Sequence, residues 1–334
     1  MADTKIRDED LIALCASLRA REVHMLNPEL VDRMLEARQV SDSVKMLMEC
    51  GYPEMKNADV FALEDLLSER RRALYEEIWG TPAARPIVSM FMLKYDYHNV
   101  KALVKSMGAN EDATRILSAS GRVPADVLTE AFITGERDEL PPALSRAMSE
   151  GVGALSRTSN PQISDINADR HYFAELLNIA QSADDEVVEG YVRILIDSAN
   201  LRTFVRAART GKTPEFLERA LFNGGNISAA AVAAISPEGN EIAEVFHGAE
   251  FKSAVVFAKD VIAGGSQTQF ERACDNAVAE YVDRARFVPF GKSVVLRHLL
   301  AVDWEMTTIR MILSGRLAGV APETIRERLR DAYV

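Results

Sequence analysis

The sequence predicts an all-α protein, and three observations predict it. Apolar residues recur at spacings of three and four along most of the chain, as in Leu11 to Arg21, Leu30 to Arg38 and Leu63 to Trp79, the period that puts them on one helix face. Helix starts are marked by a capping side chain or a proline: Asn27-Pro28-Glu29 ahead of Leu30, Ser41-Asp42 ahead of Val44, and Thr213-Pro214-Glu215 ahead of Phe216. These residue types satisfy, or dispense with, the amide N–H groups that lack partners in a first turn. Strand signals are scarce, since no alternating run leads into an Asn-Gly or Asp-Gly turn. Gly108, Gly211 and Gly315 each follow a helical run and are expected to end it in the left-handed conformation.

One helical segment recurs. Asp96-Tyr97-His98-Asn99-Val100-Lys101-Ala102-Leu103-Val104 reappears 101 residues later as Asp197-Ser198-Ala199-Asn200-Leu201-Arg202-Thr203-Phe204-Val205. A weaker third copy, Glu305-Met306-Thr307-Thr308-Ile309-Arg310-Met311-Ile312-Leu313, follows after a further 108. Each has an acid, a side-chain acceptor three residues on, a base five residues on, and apolar residues at four, seven and eight. Apolar residues also precede each acid by five and one: Phe91 and Tyr95, Val192 and Ile196, Leu300 and Trp304. That spacing is the buried stripe of a helix.

The surroundings recur too. Glu69, Asp169 and Asp275 precede the three acids by 27, 28 and 30 residues. Downstream, Gly121-Arg122-Val123-Pro124-Ala125 parallels Gly225-Asn226-Ile227-Ser228-Ala229, starting 22 and 25 residues after the Asn, and the third copy shortens to Gly319-Val320-Ala321-Pro322. The chain therefore divides into three related helical units, 1–140, 141–240 and 241–334, with seams near 136–145 and 236–250.

The repeated polar positions are Asp96, Asn99 and Lys101; Asp197, Asn200 and Arg202; Glu305, Thr308 and Arg310. Acid and acceptor share a helix face one turn apart. They fit either a satisfied polar network between helices or three binding sites, one per unit. The network is preferred, because an unpaired buried charge is costly and repeated folding units reuse packing more readily than chemistry.

Composition narrows the function. The 334 residues are 48% apolar and 27% charged, enough to bury roughly 75% of the unfolded surface. Thirty-nine Lys and Arg against fifty Asp and Glu leave a net charge of −11, so no nucleic-acid partner is expected, since such binding rests on phosphate neutralisation. The longest uncharged stretch, Ala220 to Pro237, holds two Asn, two Gly and two Ser, and no membrane-spanning segment is expected. The N-terminal MADTKIRDED has no apolar run behind a basic start, so no export signal is expected either. Cys15, Cys50 and Cys274 are an odd, scattered set without a CxxC pair, which argues against a disulfide framework or cysteine zinc site and fits a reducing cytoplasm.

Catalytic patterns fail on inspection. Gly211-Lys212-Thr213 and Gly291-Lys292-Ser293 end like a phosphate loop, but Arg206 and Arg286 stand where its first glycine belongs. Asp184-Asp185 with Glu186 and Glu189 approaches a magnesium-binding acid motif in wrong spacing. It reads better as a helix start with favourable N-terminal charge. His24, His98, His171, His247 and His298 show no metal-ligand spacing, and no GxSxG elbow occurs. Arg70-Arg71-Arg72 reads as a solvated basic face. No cofactor or metal is expected.

The repeated D-x-x-N-[VL]-[KR] helix, with Leu18-Arg19-Ala20-Arg21-Glu22, Leu26-Asn27-Pro28-Glu29-Leu30, Gly51-Tyr52-Pro53-Glu54 and Asp169-Arg170-His171-Tyr172-Phe173, resembles the C subunit of archaeal and bacterial A/V-type ATP synthases. The equivalent part of eukaryotic vacuolar ATPases is their d subunit. The resemblance covers essentially the whole chain and departs most in the third copy, where Glu305 and Thr308 replace Asp and Asn. It implies a non-catalytic rotor part: a funnel of three pseudo-symmetric helical units that receives the foot of the central stalk, formed by the D and F subunits. The other end would sit on the proteolipid ring, on the cytoplasmic side of the membrane. The isolated chain is expected to be monomeric. A soluble helical-repeat adaptor is the alternative, disfavoured because such repeats run about 33 to 47 residues. An all-helical enzyme would need a convergent acid cluster, for which Asp184 to Glu189 is the one candidate.

Overall fold

The computed structural model describes residues 8–55, 57–109 and 113–330. They form helices, short 3-10 turns and loops, with no strand among the described residues. The α-helices are α1 (Ile12–Glu22), α2 (Pro28–Glu36), α3 (Val40–Met46), α4 (Val60–Trp79), α5 (Arg85–Ala109), α6 (Ala125–Thr134), α7 (Pro142–Thr158) and α8 (Pro161–Ser182). They continue with α9 (Glu186–Arg209), α10 (Pro214–Ala220), α11 (Ala229–Ala233), α12 (Ile242–Val245), α13 (Lys252–Ile262), α14 (Gln267–Asp283), α15 (Lys292–Leu317) and α16 (Pro322–Arg328).

Capping side chains mark several of the starts. Asn27 and Thr213 accept the amides of Leu30 and Phe216. Helix α3 begins earlier than its Ser41-Asp42 signal, at Val40. Of the three glycines expected to terminate helices, Gly211 does so with φ +63°. Gly108 and Gly315 instead lie inside α5 and α15, where a bare Cα lets another helix approach. A Cβ on Gly315 would meet the Ile325 side chain of α16 at 2.8 Å, and one on Gly108 would meet Leu155 of α7 at 3.2 Å. The left-handed stop after α15 is Gly319 (φ +71°).

The chain folds into two compact units. One takes in the N-terminal part up to Arg85, Val205–Gly211 and the part from Ile235. Its centre is α15, 26 residues long and buried along most of its length, against which α1, α2, α3, α4, α14 and α16 pack. Polar ties reinforce this: Arg297 pairs with Glu22 of α1 at 2.9 Å, and Arg310 with Glu64 of α4 at 2.8 Å. Arg316 donates to the carbonyls of Met34, Leu35 and Ala37 at the end of α2, groups that have no intrahelical partner and sit at the negative pole of that helix. Arg316→Met is expected to lower stability by about 1–2 kcal/mol, read as a lower urea midpoint with unchanged slope.

The second unit holds Pro86–Phe204 and Lys212–Ala234. Here α5 and α9 supply the core. Helix α8 runs antiparallel to α5, as three pairs record: Lys105 with Asp165 at 2.7 Å, Lys101 with Asp169 at 2.7 Å, and the Tyr97 hydroxyl with Glu175 at 2.9 Å. Helix α7 forms a hairpin with α8. Aromatic rings run edge to face from Tyr97 to Tyr172 to Phe173, and Phe222 closes on Phe173 at 4.6 Å.

Candidate functional site

The repeated segments occupy the three longest helices, α5, α9 and α15. Their apolar positions at four, seven and eight after the acid are buried in all three: Val100, Leu103 and Val104; Leu201, Phe204 and Val205; Ile309, Ile312 and Leu313. The preceding apolar pairs are buried as well, except that Tyr95 and Trp304 are half-exposed.

In the second unit the acids and amides grip loops. Asp96 is 0% exposed; it accepts from Arg122 Nε at 2.7 Å and the Val123 amide at 3.1 Å. Arg122 also reaches Glu175 at 2.9 Å. Asn99 exchanges two bonds with the backbone of Ser118, at 2.9 and 2.8 Å. On α9, Asp197 accepts the amides of Asn226 and Ile227 at 3.0 and 3.1 Å. Asn200 exchanges two bonds with the backbone of Phe222, both 2.8 Å. A carboxamide presents an acceptor and a donor side by side, so it mimics a backbone partner and holds a returning loop that has no ladder of its own.

The glycines of the recurring downstream segment belong to these grips. A Cβ on Gly121 would lie 2.4 Å from Asp96 Oδ1, and one on Gly225 would lie 2.1 Å from Asp197 Oδ1. Only glycine lets the loop backbone close on the carboxylate. Burial pushes both carboxyls above the usual aspartate range. The Arg122 side chain and Val123 amide oppose this at Asp96, and the Ile227 and Asn226 amides oppose it at Asp197. Lys101 bonds Asp169 at 2.7 Å, and Arg202 bonds Ser198 Oγ at 2.8 Å.

The third set is arranged differently. Glu305 is buried, with the Leu26 amide as a donor and Oε1 without a hydrogen-bond partner. Thr308 is half-exposed, and Arg310 turns to Glu64. Of the upstream carboxylates, Asp169 holds Lys101, Asp275 holds Arg330 and Glu69 is exposed. The arginine run is not one solvated face: Arg72 is solvent-exposed beside Glu76, Arg70 stacks over the Tyr52 ring at 5.6 Å, and Arg71 is buried. A charge run reads as uniform in sequence, whereas successive helix positions point in different directions.

The remaining chemical candidates are absorbed by structure. Asp185 caps α9 by accepting the amides of Val187 and Val188 at 2.9 and 3.0 Å, and Glu189 pairs with Arg193 at 2.6 Å. Thr213 caps α10 and Lys292 opens α15, so both GK[ST] triplets precede helices without a strand before them. His98 meets the Ile116 carbonyl, His171 meets Glu150, and His247 meets the Glu244 carbonyl. Among the described residues, no group of three or more His, Cys, Asp or Glu is placed to hold a metal ion. No described helix is long and apolar enough to cross a membrane.

Known proteins resemble this sequence along most of its length. The sequence model of the family described as ATP synthase (C/AC39) subunit matches residues 14–328. The C subunit of the A-type ATP synthase of Haloquadratum walsbyi is 25% identical, covering 93% of this chain and 96% of its own length. That of Haloferax volcanii is 22% identical over 95% and 93%. The C subunit of the V-type sodium ATPase of Enterococcus hirae is 20% identical over 95% and 97%.

Proposed function

The chain belongs to the ATP synthase (C/AC39) subunit family, and we propose that it is the socket joining the central stalk to the proteolipid ring of a rotary ATPase. It is a component of an A/V-type rotary complex, membrane-associated, with a structural rather than a catalytic part in it. In the proposed role it seats the foot of the stalk, the D and F subunits, on one side and rests on the cytoplasmic loops of the ring on the other. Proton or sodium movement through the ring then drives, or is driven by, the catalytic head.

One observation carries the proposal: near-complete, end-to-end likeness to proteins named as the C subunit of such complexes. Physical chemistry agrees with the role. A torque-bearing part must resist unwinding, and close-packed cores deform little. The grips at Asp96, Asn99, Asp197 and Asn200 fix loops to core helices without flexible surface contacts. Three pseudo-equivalent helical units, 1–140, 141–240 and 241–334, set as a funnel about an axis, would suit a stalk inserted along it. The transported ion is a property of the ring.

The test mixes the purified chain with a folded D–F pair at micromolar concentration, and separately with detergent-solubilised ring. Co-elution with both is expected. Elution apart from both partners favours a helical adaptor unrelated to ion transport.

A further inference from the structure

Among the described residues, Glu305 is the acid of the repeated set that lines two cavities. A cavity of about 370 Å³ is bounded by Arg70, His24, Cys50, His298 and Glu305. A second, of about 260 Å³, is lined by Glu305 together with Trp304 and Arg272. All of these residues belong to the first unit. Asp96 and Asp197 each meet two or more donors, as an ionised carboxylate requires, whereas Glu305 has the Leu26 amide and an unpartnered, buried Oε1.

We propose that Glu305 is a protonation-controlled latch: neutral, it holds the Met25–Leu26 and Cys50–Tyr52 segments on α15; ionised, it draws water from the cavities it lines and loosens them. The groups around it set the direction. From α4, Arg70 favours the ionised form, but its guanidinium is stacked over Tyr52. From the 3-10 turn before Gly51, Cys50 and Glu49 face the larger cavity, and Tyr52 follows that turn. Helix α1 brings Arg21, paired with Glu77 at 2.6 Å, the stretch after it brings His24, and α15 itself brings His298, which lies 3.8 Å from Glu22. Toward the smaller cavity stand Asp32 of α2 paired with Arg326 of α16, Arg330 paired with Asp275, and Arg272 of α14. Desolvation dominates this balance and lifts the Glu305 carboxyl to about 7. The two cavities that Glu305 lines, bounded by Arg70, His24 and Arg272 among apolar groups, have room for several waters, which would supply what the ionised form lacks.

The sign follows from linkage. A carboxyl raised in the folded state is ionised in the unfolded chain first, so stability falls as pH rises from about 4.5 to about 7 and is level above that. The experiment uses the full chain, with Glu305→Gln as comparison; His24 and His298 are common to both proteins and cancel. Thermal midpoints are expected to coincide near pH 4.5 and to separate by about 5 °C in favour of the variant at pH 8. Hydrogen exchange at the Leu26 and Tyr52 amides, relative to the variant, is expected to quicken as pH passes 7. A midpoint difference independent of pH overturns the proposal. Carbon-13 titration of the Glu305 carboxyl in the unsubstituted protein decides even if the variant fails to fold: a midpoint near 7 supports the latch, and one near 4.5 overturns it.

Discussion

Asp197→Ala is expected to destabilise the protein by about 3 kcal/mol. The substitution strips the acceptor from two backbone donors, Asn226 and Ile227, in the loop that closes on α9. A buried donor left without a partner costs about 1–3 kcal/mol. The desolvation of a carboxylate that burial already pushes upward in pKa is deducted from the sum of the two. Water does not substitute easily, because the Asp197 side chain is 1% exposed. The neighbouring Asn200–Phe222 pair stays in place, so the loop should loosen near Gly225 first. The measurements are urea unfolding and amide exchange: both amides should lose protection, while the Phe222 amide keeps it. Retained protection at Asn226 and Ile227 would show that the carboxylate does not hold the loop.

Arg122→Met should have a comparable or larger effect, about 3–5 kcal/mol at pH 8, the range for removing one partner from a buried ion pair. Asp96 would keep backbone donors but lose its counter-charge, and Glu175 would lose its contact at 2.9 Å. This deficit carries a pH signature. Burial already holds Asp96 above the ordinary aspartate range against the pull of Arg122, and removing the guanidinium raises it further. A raised carboxyl gives stability that is present at acid pH and lost as pH climbs through the folded value. The variant's deficit should therefore shrink between pH 8 and pH 5 in denaturant titrations. An equal deficit at both pH values would mean that lost packing of the arginine stem, rather than charge, explains the cost.

Much of the helical framework is legible in the sequence, because apolar period and capping residues are local signals. Asn27 and Thr213 act as read. Gly108 and Gly315 do not end their helices, because a glycine can equally admit a neighbouring helix, and that neighbour is a tertiary fact. The recurring glycines downstream of Asn99 and Asn200 are visible as a pattern. Their purpose, contact with a carboxylate 25 or 28 positions earlier, needs coordinates. Arg71 sits in a run that reads as solvated, because sequence order does not tell which side of α4 faces inward. Glu305 and Thr308 look like a weakened copy of Asp and Asn, and nothing local foretells the cavities beside Glu305.

The first unit is assembled from stretches far apart in the chain. Glu22 finds Arg297 and Glu64 finds Arg310 across separations of 275 and 246 residues. During synthesis, α1 to α4 therefore leave the ribosome long before α15, the helix they pack against, exists. At 5–20 residues per second the interval between Arg85 and Lys292 lasts roughly 10–40 s. Throughout it, the apolar faces of four nascent helices must be shielded by a chaperone or by transient collapse. Translation rate over the intervening codons should thus govern yield of soluble protein more strongly than it does for proteins built from contiguous segments.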